Sequence, residues 1–432
     1  MAAGLRESVA RPWAARAFFA VAAIWLGVSG TLYSFPMWTT RLQAEFALNQ
    51  AQTNAMGSVL YAATLLGVVL PFLLGRVRKM PLIVPLGAAG VVPQTLGWAL
   101  LWMVSTRLVG PPLPLLLVAS FLIGLGAGSI FTEIMSQSVL LMEDSSSLFV
   151  SSFYTLSFGV GGVASSFWLI FADLSFFFFL LFLLHGCVGL VASLLLWRLL
   201  VFSSYRGAES QVLLEASARA RHVGLATLAK QFFSSGRSWL VLLIVFIKIG
   251  IGGAFAANME DFVGQSGASF DAQYLTAFFN AGQTVGRLGT VLLGLWRDLT
   301  VTVVGAVALS YAIILAVAAG VPSAAFALSL VFSVAYGAMW STTSSIVFCS
   351  SVTNRRQFLT LALFVFPLSG AGPIATNAVV GVIFDDTASF MWPWIFLALL
   401  SGLLFVLAVV LGLLHRRAER AKLSFPLTGA MN

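Results

Sequence analysis

Two cations stand in this chain where the surrounding residues would dissolve in lipid. Lys248 interrupts Ile244-Val-Phe-Ile-Lys-Ile-Gly-Ile-Gly-Gly-Ala-Phe-Ala-Ala-Asn258, and Arg287 closes Asn280-Ala-Gly-Gln-Thr-Val-Gly-Arg287. Around Arg287, the residues Thr276, Asn280, Gln283, Arg287 and Thr290 recur at intervals of 4, 3, 4 and 3, which places them on one face of a helix. A charge at bilayer depth faces the protein interior or a water-filled cavity. A guanidinium fork suits a carboxylate, which it grips with two parallel hydrogen bonds, while an ammonium acts as a point charge. Arg287 and Lys248 are therefore candidate anion ligands, with Asn280 and Gln283 setting orientation. Structural roles are open beside these. Arg287 can bond to carbonyls or to its amide neighbours. Lys248 can sit neutral in an apolar niche or bond to carbonyls freed by Gly250, Gly252 and Gly253. Asn280 and Gln283 can simply join two helices.

Depth supports the pairing. Lys248 lies eleven residues past Arg237, about 16 Å along a helix, and Arg287 lies about 15 Å from Arg297. Both therefore sit near the middle of an apolar layer about 30 Å thick. A lysine stem reaches only about 6 Å, too short to snorkel to the surface. Glu260, Asp261, Asp271, Asp385 and Asp386 all fall at the outer ends of their segments, so no carboxylate of the second half shares that level. Ser29, Tyr33 and Tyr61 are further cavity candidates. Glu133 falls near the cytoplasmic surface, where it can pair with Arg76 or Arg78 as a gate. His185 reaches mid-depth on the sixth segment and reads as a packed neutral imidazole. Cys187 and Cys349 lie in apolar runs and read as packing residues.

The elements that must position these groups follow from composition. Of 432 residues, 59% are hydrophobic and 9% charged, and the mean hydropathy is +0.99. Soluble domains carry about 25% charged residues, so most of this chain belongs in a bilayer. Runs long enough to span one fall at 15–38, 52–75, 80–105, 112–134, 147–171, 174–201, 238–259, 271–296, 299–320, 323–348, 357–383 and 389–414. The first run is too long for the apolar part of a signal peptide and reads as a retained span. Of the 23 Lys and Arg residues, Arg41 and Arg107 fall outside, Lys248 and Arg287 fall within spans, and the other nineteen fall on the side of the N-terminus. That asymmetry is the positive-inside signature of a chain with both termini cytoplasmic. It accounts for the net charge of +8 without nucleic acid. Gly124-Leu-Gly-Ala-Gly128 lies inside an apolar span with no following lysine, so it reads as helix packing and not as a phosphate loop. Metal-protease, nucleophile-elbow and dithiol signatures are missing. Neither an enzyme, a cofactor nor a resident metal is expected.

The polar stretch 203–236 divides the chain six spans from six. Leu26-Gly-Val-Ser-Gly-Thr-Leu-Tyr-Ser-Phe35 aligns with Ile249-Gly-Ile-Gly-Gly-Ala-Phe-Ala-Ala-Asn258, Gly67 and Gly75 with Gly286 and Gly294, and Ile170-Phe171-Ala-Asp173 with Ile383-Phe384-Asp385-Asp386. These matches, in order, indicate a duplicated six-helix unit. Two such halves around a cytoplasmic loop resemble the major facilitator superfamily. Ser29-Gly-Thr-Leu-Tyr-Ser-Phe35 with Asn49-Gln-Ala-Gln-Thr-Asn-Ala-Met-Gly57, Asn280 to Arg287, and Pro367 to Asp385 are similar to the first, second, eighth and eleventh spans of nodulin-like transporters, a group related to monocarboxylate and oxalate carriers. The loop Gly75-Arg-Val-Arg-Lys-Met80 lacks the acid that the superfamily usually carries there. The resemblance implies a carboxylate bound by the eighth-span arginine, here Arg287.

The expected molecule is an all-α membrane protein of twelve transmembrane helices in two pseudo-symmetric six-helix bundles, 1–202 and 237–432, joined by a cytoplasmic loop at 203–236. The expected function is alternating-access transport of a small organic solute, a carboxylate first, by a monomer in the plasma membrane. Amino acids, drug-like compounds or metal ions are alternative cargoes, and a non-transporting sensor of the same fold is the rival class.

Overall fold

The computed structural model describes residues 2–78, 89–109, 112–141, 147–204, 230, 232–264, 272–293, 300–347 and 355–423, and these are helices joined by short turns. The helices are α1 (Ala2–Ser29), α2 (Phe35–Phe46), α3 (Gln50–Arg78), α4 (Val92–Ser105), α5 (Pro112–Leu141), α6 (Ser147–Phe171), α7 (Leu174–Leu183), α8 (Gly189–Ser204), α9 (Gly236–Gly264), α10 (Ala272–Leu293), α11 (Thr300–Gly320), α12 (Ala325–Val347), α13 (Arg355–Thr387) and α14 (Met391–Leu423). Span 1 is α1 and α2 joined by a 3₁₀ turn at Gly30–Ser34, and span 6 is α7 and α8 joined by a π turn at Leu184–Val188. The remaining helices form one span each, giving twelve.

Eight spans within the described residues are long and apolar enough to cross a bilayer by those criteria alone. The others have physical reasons to fall short. The apolar part of α3 is short, at Ala55–Leu70, the residues just before Ala89 lie outside those described, α10 carries the polar stripe, and α13 contains Pro367 and Pro373. Local chemistry fixes several ends. Asn49 and Gln52 exchange backbone-to-side-chain hydrogen bonds of 2.9 Å each way, a reciprocal cap that starts span 2. Asp173 starts span 6 by accepting from the Ser175 and Phe176 amides at 3.0 and 3.2 Å. Ala47, Arg107 and Ala388, with φ of 51°, 57° and 49°, end spans 1, 3 and 11 in the left-handed region.

The internal repeat is visible in how helices touch. A Cβ on Gly67 of span 2 would overlap the Leu125 carbonyl of span 4, and one on Gly286 of span 8 would overlap the Val334 carbonyl of span 10. Likewise Gly161 of span 5 lies on the Gly27 carbonyl of span 1, and Gly372 of span 11 on the Phe246 carbonyl of span 7. Spans 1·5 and 2·4 thus repeat as 7·11 and 8·10, with the matched glycines Gly67 and Gly286 in equivalent contacts. Such backbone-to-backbone approach requires small residues. The two halves meet where span 5 packs on span 8 and span 2 on span 11.

One expectation changes. Cys187 is exposed on span 6 and not packed, while His185 two residues before it is buried. Cys349 lies outside the described residues.

Candidate functional site

The polar face of span 8 meets the first half. Asn280 Nδ2 donates to the Tyr33 carbonyl at 3.1 Å and to Ser166 Oγ at 2.8 Å. Gln283 Nε2 donates to Asn280 Oδ1 at 3.2 Å, and Gln283 Oε1 accepts from Arg287 Nη2 at 3.2 Å. Arg287 Nη1 crosses to span 5 and donates to the Thr155 carbonyl at 3.0 Å. Its guanidinium lies over the Tyr33 ring, 4.7 Å from the centroid. The arginine is 1% exposed, and its Nε–H has no hydrogen-bond partner among the described residues. None of its described partners is a carboxylate. The positive charge is therefore held by a carbonyl, an amide and an aromatic face, all neutral.

Glycine on span 5 makes this reach possible. A Cβ at Gly159 would lie 2.7 Å from Arg287 Nη1 and 3.0 Å from Thr284 Oγ1. A Cβ at Gly162 would lie 2.7 Å from that of Tyr33. Thr155, Gly159, Gly162 and Ser166 are spaced 4, 3 and 4, a small-and-polar stripe that mirrors the one on span 8. The sequence reading missed Thr155 and Ser166, and this stripe was the signal. Span 10 completes the junction with Ser341 Oγ, 3.2 Å from Thr155 Oγ1. Tyr336 of the same span lies within electrostatic range of Arg287, Tyr33 and Tyr61. It too was missed, hidden in an apolar run. Tyr33, Tyr61, Tyr336 and Arg287 thus gather spans 1, 2, 8 and 10, two from each half.

Lys248 is fully buried, as expected, but its surroundings differ from those of Arg287. Its Nζ donates to the Met339 carbonyl at 3.0 Å and to Thr342 Oγ1 at 3.1 Å. Met339 and Thr342 lie about 150° around span 10 from Gly337 and Ser341, the residues that face span 8 and span 5. The two cations are therefore on different flanks of span 10, and no described residue hydrogen-bonds to both. The carbonyl that Lys248 uses belongs to span 10 and not to its own glycine-rich helix. Those glycines serve packing instead: Gly252 lies against the Tyr336 ring, and a Cβ on Gly253 would lie 2.6 Å from Pro373 Cβ.

Ser29 is fully buried, and its Oγ has no described partner. Glu133 is half-buried on span 4. Arg76 and Arg78 end span 2, and their side chains lie outside the described residues, as therefore does the gate expected there. A groove of about 570 Å³ opens between spans 1, 5 and 6, lined by Ala23, Gly27, Val160 and Ala164 among others. Its walls are apolar, which suits lipid and not a polar solute. Among the described residues no cluster of His, Cys, Asp or Glu could hold a metal ion.

The fold is similar to that of solved transporters of the major facilitator superfamily. The chain is similar in structure to FucP in the outward conformation, with a TM-score of 0.63 and 15% identity over 91% of this chain and 98% of that one. It is similar to another structure of the same E. coli fucose:proton symporter, with a TM-score of 0.64 and 14% identity over the same shares. The proton:xylose symporter XylE bound to 6-bromo-6-deoxy-D-glucose gives 0.63 and 12% over 92% and 95%. No family model matches the sequence, and no curated protein is similar to it at the level of sequence.

Proposed function

We propose that this chain is a secondary or facilitative transporter that carries a small organic solute by alternating access, and that the solute is a carboxylate anion. The reading is carried by Arg287, a buried guanidinium between the halves with neutral partners and a free Nε–H. A buried charge without a counter-charge costs several kcal/mol, and a mobile anion supplies what the fold omits. The carboxylate would take Nη and Nε hydrogens side-on, which releases Gln283 Oε1 or the Thr155 carbonyl. Asn280 and Gln283 then orient it, with Tyr33, Tyr61 and Tyr336 around it and Ser29 behind. Lys248 contributes positive potential from the other flank of span 10 while it ties span 7 to that helix.

Because Arg287 Nη1 also bonds the opposite half, an anion that captures it loosens the span 5·8 contact. Residues 1–202 and 237–432 would rock about the occupied site while 203–236 links them on the cytoplasmic side, the side given by the basic ends. Acids are scarce at mid-membrane depth among the described residues, and Glu133 lies toward the cytoplasmic end of span 4, so we favour uniport or exchange over proton coupling. A plasma membrane and a monomer fit this reading.

A second reading has its own observation. The two similar transporters are a fucose:proton symporter and a proton:xylose symporter, and a site of amides and tyrosines also suits a hydroxylated neutral solute. Flux into proteoliposomes decides. Uptake of a labelled monocarboxylate or dicarboxylate, abolished in Arg287→Met, supports the anion. Uptake of a sugar that survives Arg287→Met overturns it. Binding of either without uptake indicates a sensor.

A further inference from the structure

Spans 1 and 6 leave α geometry against each other. Span 1 tightens to 3₁₀ at Gly30–Ser34, and span 6 widens to a π turn at Leu184–Val188. Single π turns recur at functional sites because they re-aim the residues within them. Here the turn directs His185 inward, to 0% exposure. The imidazole stacks on Trp98, with centroids 5.8 Å apart and planes at 24°, and meets Trp25 edge-on at 5.7 Å. Its Nε2 is 3.1 Å from Thr31 Oγ1, and its Nδ1 has no partner among the described residues. If the ring served only to fill space between two tryptophans, phenylalanine would do so without burying an unpaired nitrogen. The single hydrogen bond to Thr31 is what distinguishes histidine there.

Thr31 lies inside the 3₁₀ turn. Its carbonyl accepts from Ser34 Oγ at 2.7 Å. Pro36 withholds the N–H that would otherwise bond back to Leu32 or Tyr33. Local ladder bonds therefore hold this turn weakly, and side chains hold it instead. Two residues beyond Thr31 stands Tyr33, whose carbonyl accepts from Asn280 and whose ring supports Arg287.

We propose that His185 is a positioning residue for the solute site: through Thr31 it pins the 3₁₀ turn of span 1 so that Tyr33 presents its carbonyl and ring to Asn280 and Arg287 of the other half. The proposal rests on the reading of that cluster as the solute site, but the mechanical link it asserts is measurable without solute. The experiment is a double-mutant cycle on thermal unfolding of the full chain in nanodiscs, using His185→Phe, Asn280→Ala and the pair. His185 and Asn280 do not touch and belong to different halves, so a merely local defect at His185 would add to the Asn280→Ala shift in Tm. We expect instead that His185→Phe shrinks that shift to less than half. His185→Gln, with a donor at the level of Nε2, should restore it. Thr31→Val should reproduce the Phe result, and it carries the cycle if His185→Phe does not fold. Additive shifts overturn the proposal, as does a Gln variant that couples no better than Phe. Loss of the transport reading would appear in the flux assay and leave this cycle standing.

Discussion

Replacing Arg287 with methionine separates a binding arginine from a structural one, because the two roles predict different magnitudes. As a ligand, Arg287 would give a carboxylate two charge-assisted hydrogen bonds, each contributing about 1.5–3 kcal/mol. At about 1.4 kcal/mol per tenfold, Arg287→Met should weaken anion binding by roughly two to four orders of magnitude. The effect on stability should be small. The substitution removes the bonds to Gln283 Oε1 and the Thr155 carbonyl and the contact with the Tyr33 ring, the last on the order of 2 kcal/mol where water is excluded. Thr155 sits mid-helix, so its carbonyl keeps its helical partner and is not orphaned. Against these losses stands relief of a buried, uncompensated charge, several kcal/mol in the opposite direction. The two nearly cancel, and an isosteric apolar residue should leave the unfolding free energy within about 2 kcal/mol of the parent. The assays are calorimetric binding of the transported carboxylate and thermal unfolding without it. A variant that unfolds far more readily yet binds the anion with parental affinity would refute the reasoning and make Arg287 a brace between halves.

Lys248→Met should leave the fold intact and lower anion affinity by about five- to tenfold, since a charge at an effective dielectric near 20 contributes on the order of 1 kcal/mol across a cavity; an unchanged Kd would confine Lys248 to joining spans 7 and 10. Gly159→Val should displace the guanidinium, which lies 2.7 Å from the position of its Cβ, and so cut flux at least tenfold while Gly289→Val, where a Cβ meets nothing within 4 Å, leaves flux near parental. Gly67→Leu should prevent recovery of monodisperse protein, because its side chain would enter the Leu125 backbone of span 4, and size-exclusion chromatography of the solubilised variant reads this directly.

The architecture was legible because membranes permit few solutions. Hydropathy located the spans, and Gly67 and Gly286 disclosed the repeat that the 2·4 and 8·10 contacts display. The span 8 face was legible for the same reason: a polar stripe on an apolar helix has few places to go, and Asn280, Gln283 and Arg287 all face the other half. What the stripe met was harder to read. Thr155 contributes a main-chain carbonyl, which has no side-chain signature, and Tyr336 resembles any aromatic in an apolar run. Depth along the helix put Lys248 and Arg287 at one level, but rotation about span 10 separates them, and one-dimensional spacing on two different helices does not fix that angle. The 3₁₀ and π turns were equally hidden, since glycine occurs throughout these spans and only some sites use it to leave α geometry.

The kinds of contact within and between halves differ in a way that bears on motion. Inside each half, spans 1·5, 2·4, 7·11 and 8·10 touch backbone to backbone through glycine, with no side chain to swing away. Such contacts break only by moving whole helices apart, so each half holds together as a unit. Where the halves meet, the polar bonds are different in kind: Asn280 of span 8 to Tyr33 of span 1 and to Ser166 of span 5, Arg287 of span 8 to Thr155 of span 5, and Thr155 to Ser341 of span 10. Each depends on at least one side chain and contributes about 1 kcal/mol net. Moving an equilibrium from one state to the other by four orders of magnitude takes about 5.5 kcal/mol of differential binding. On the proposed reading, one bound carboxylate that competes for Arg287 would supply interaction on that scale at the place where the halves are joined, and the plane along which the molecule would open is the plane that holds Arg287.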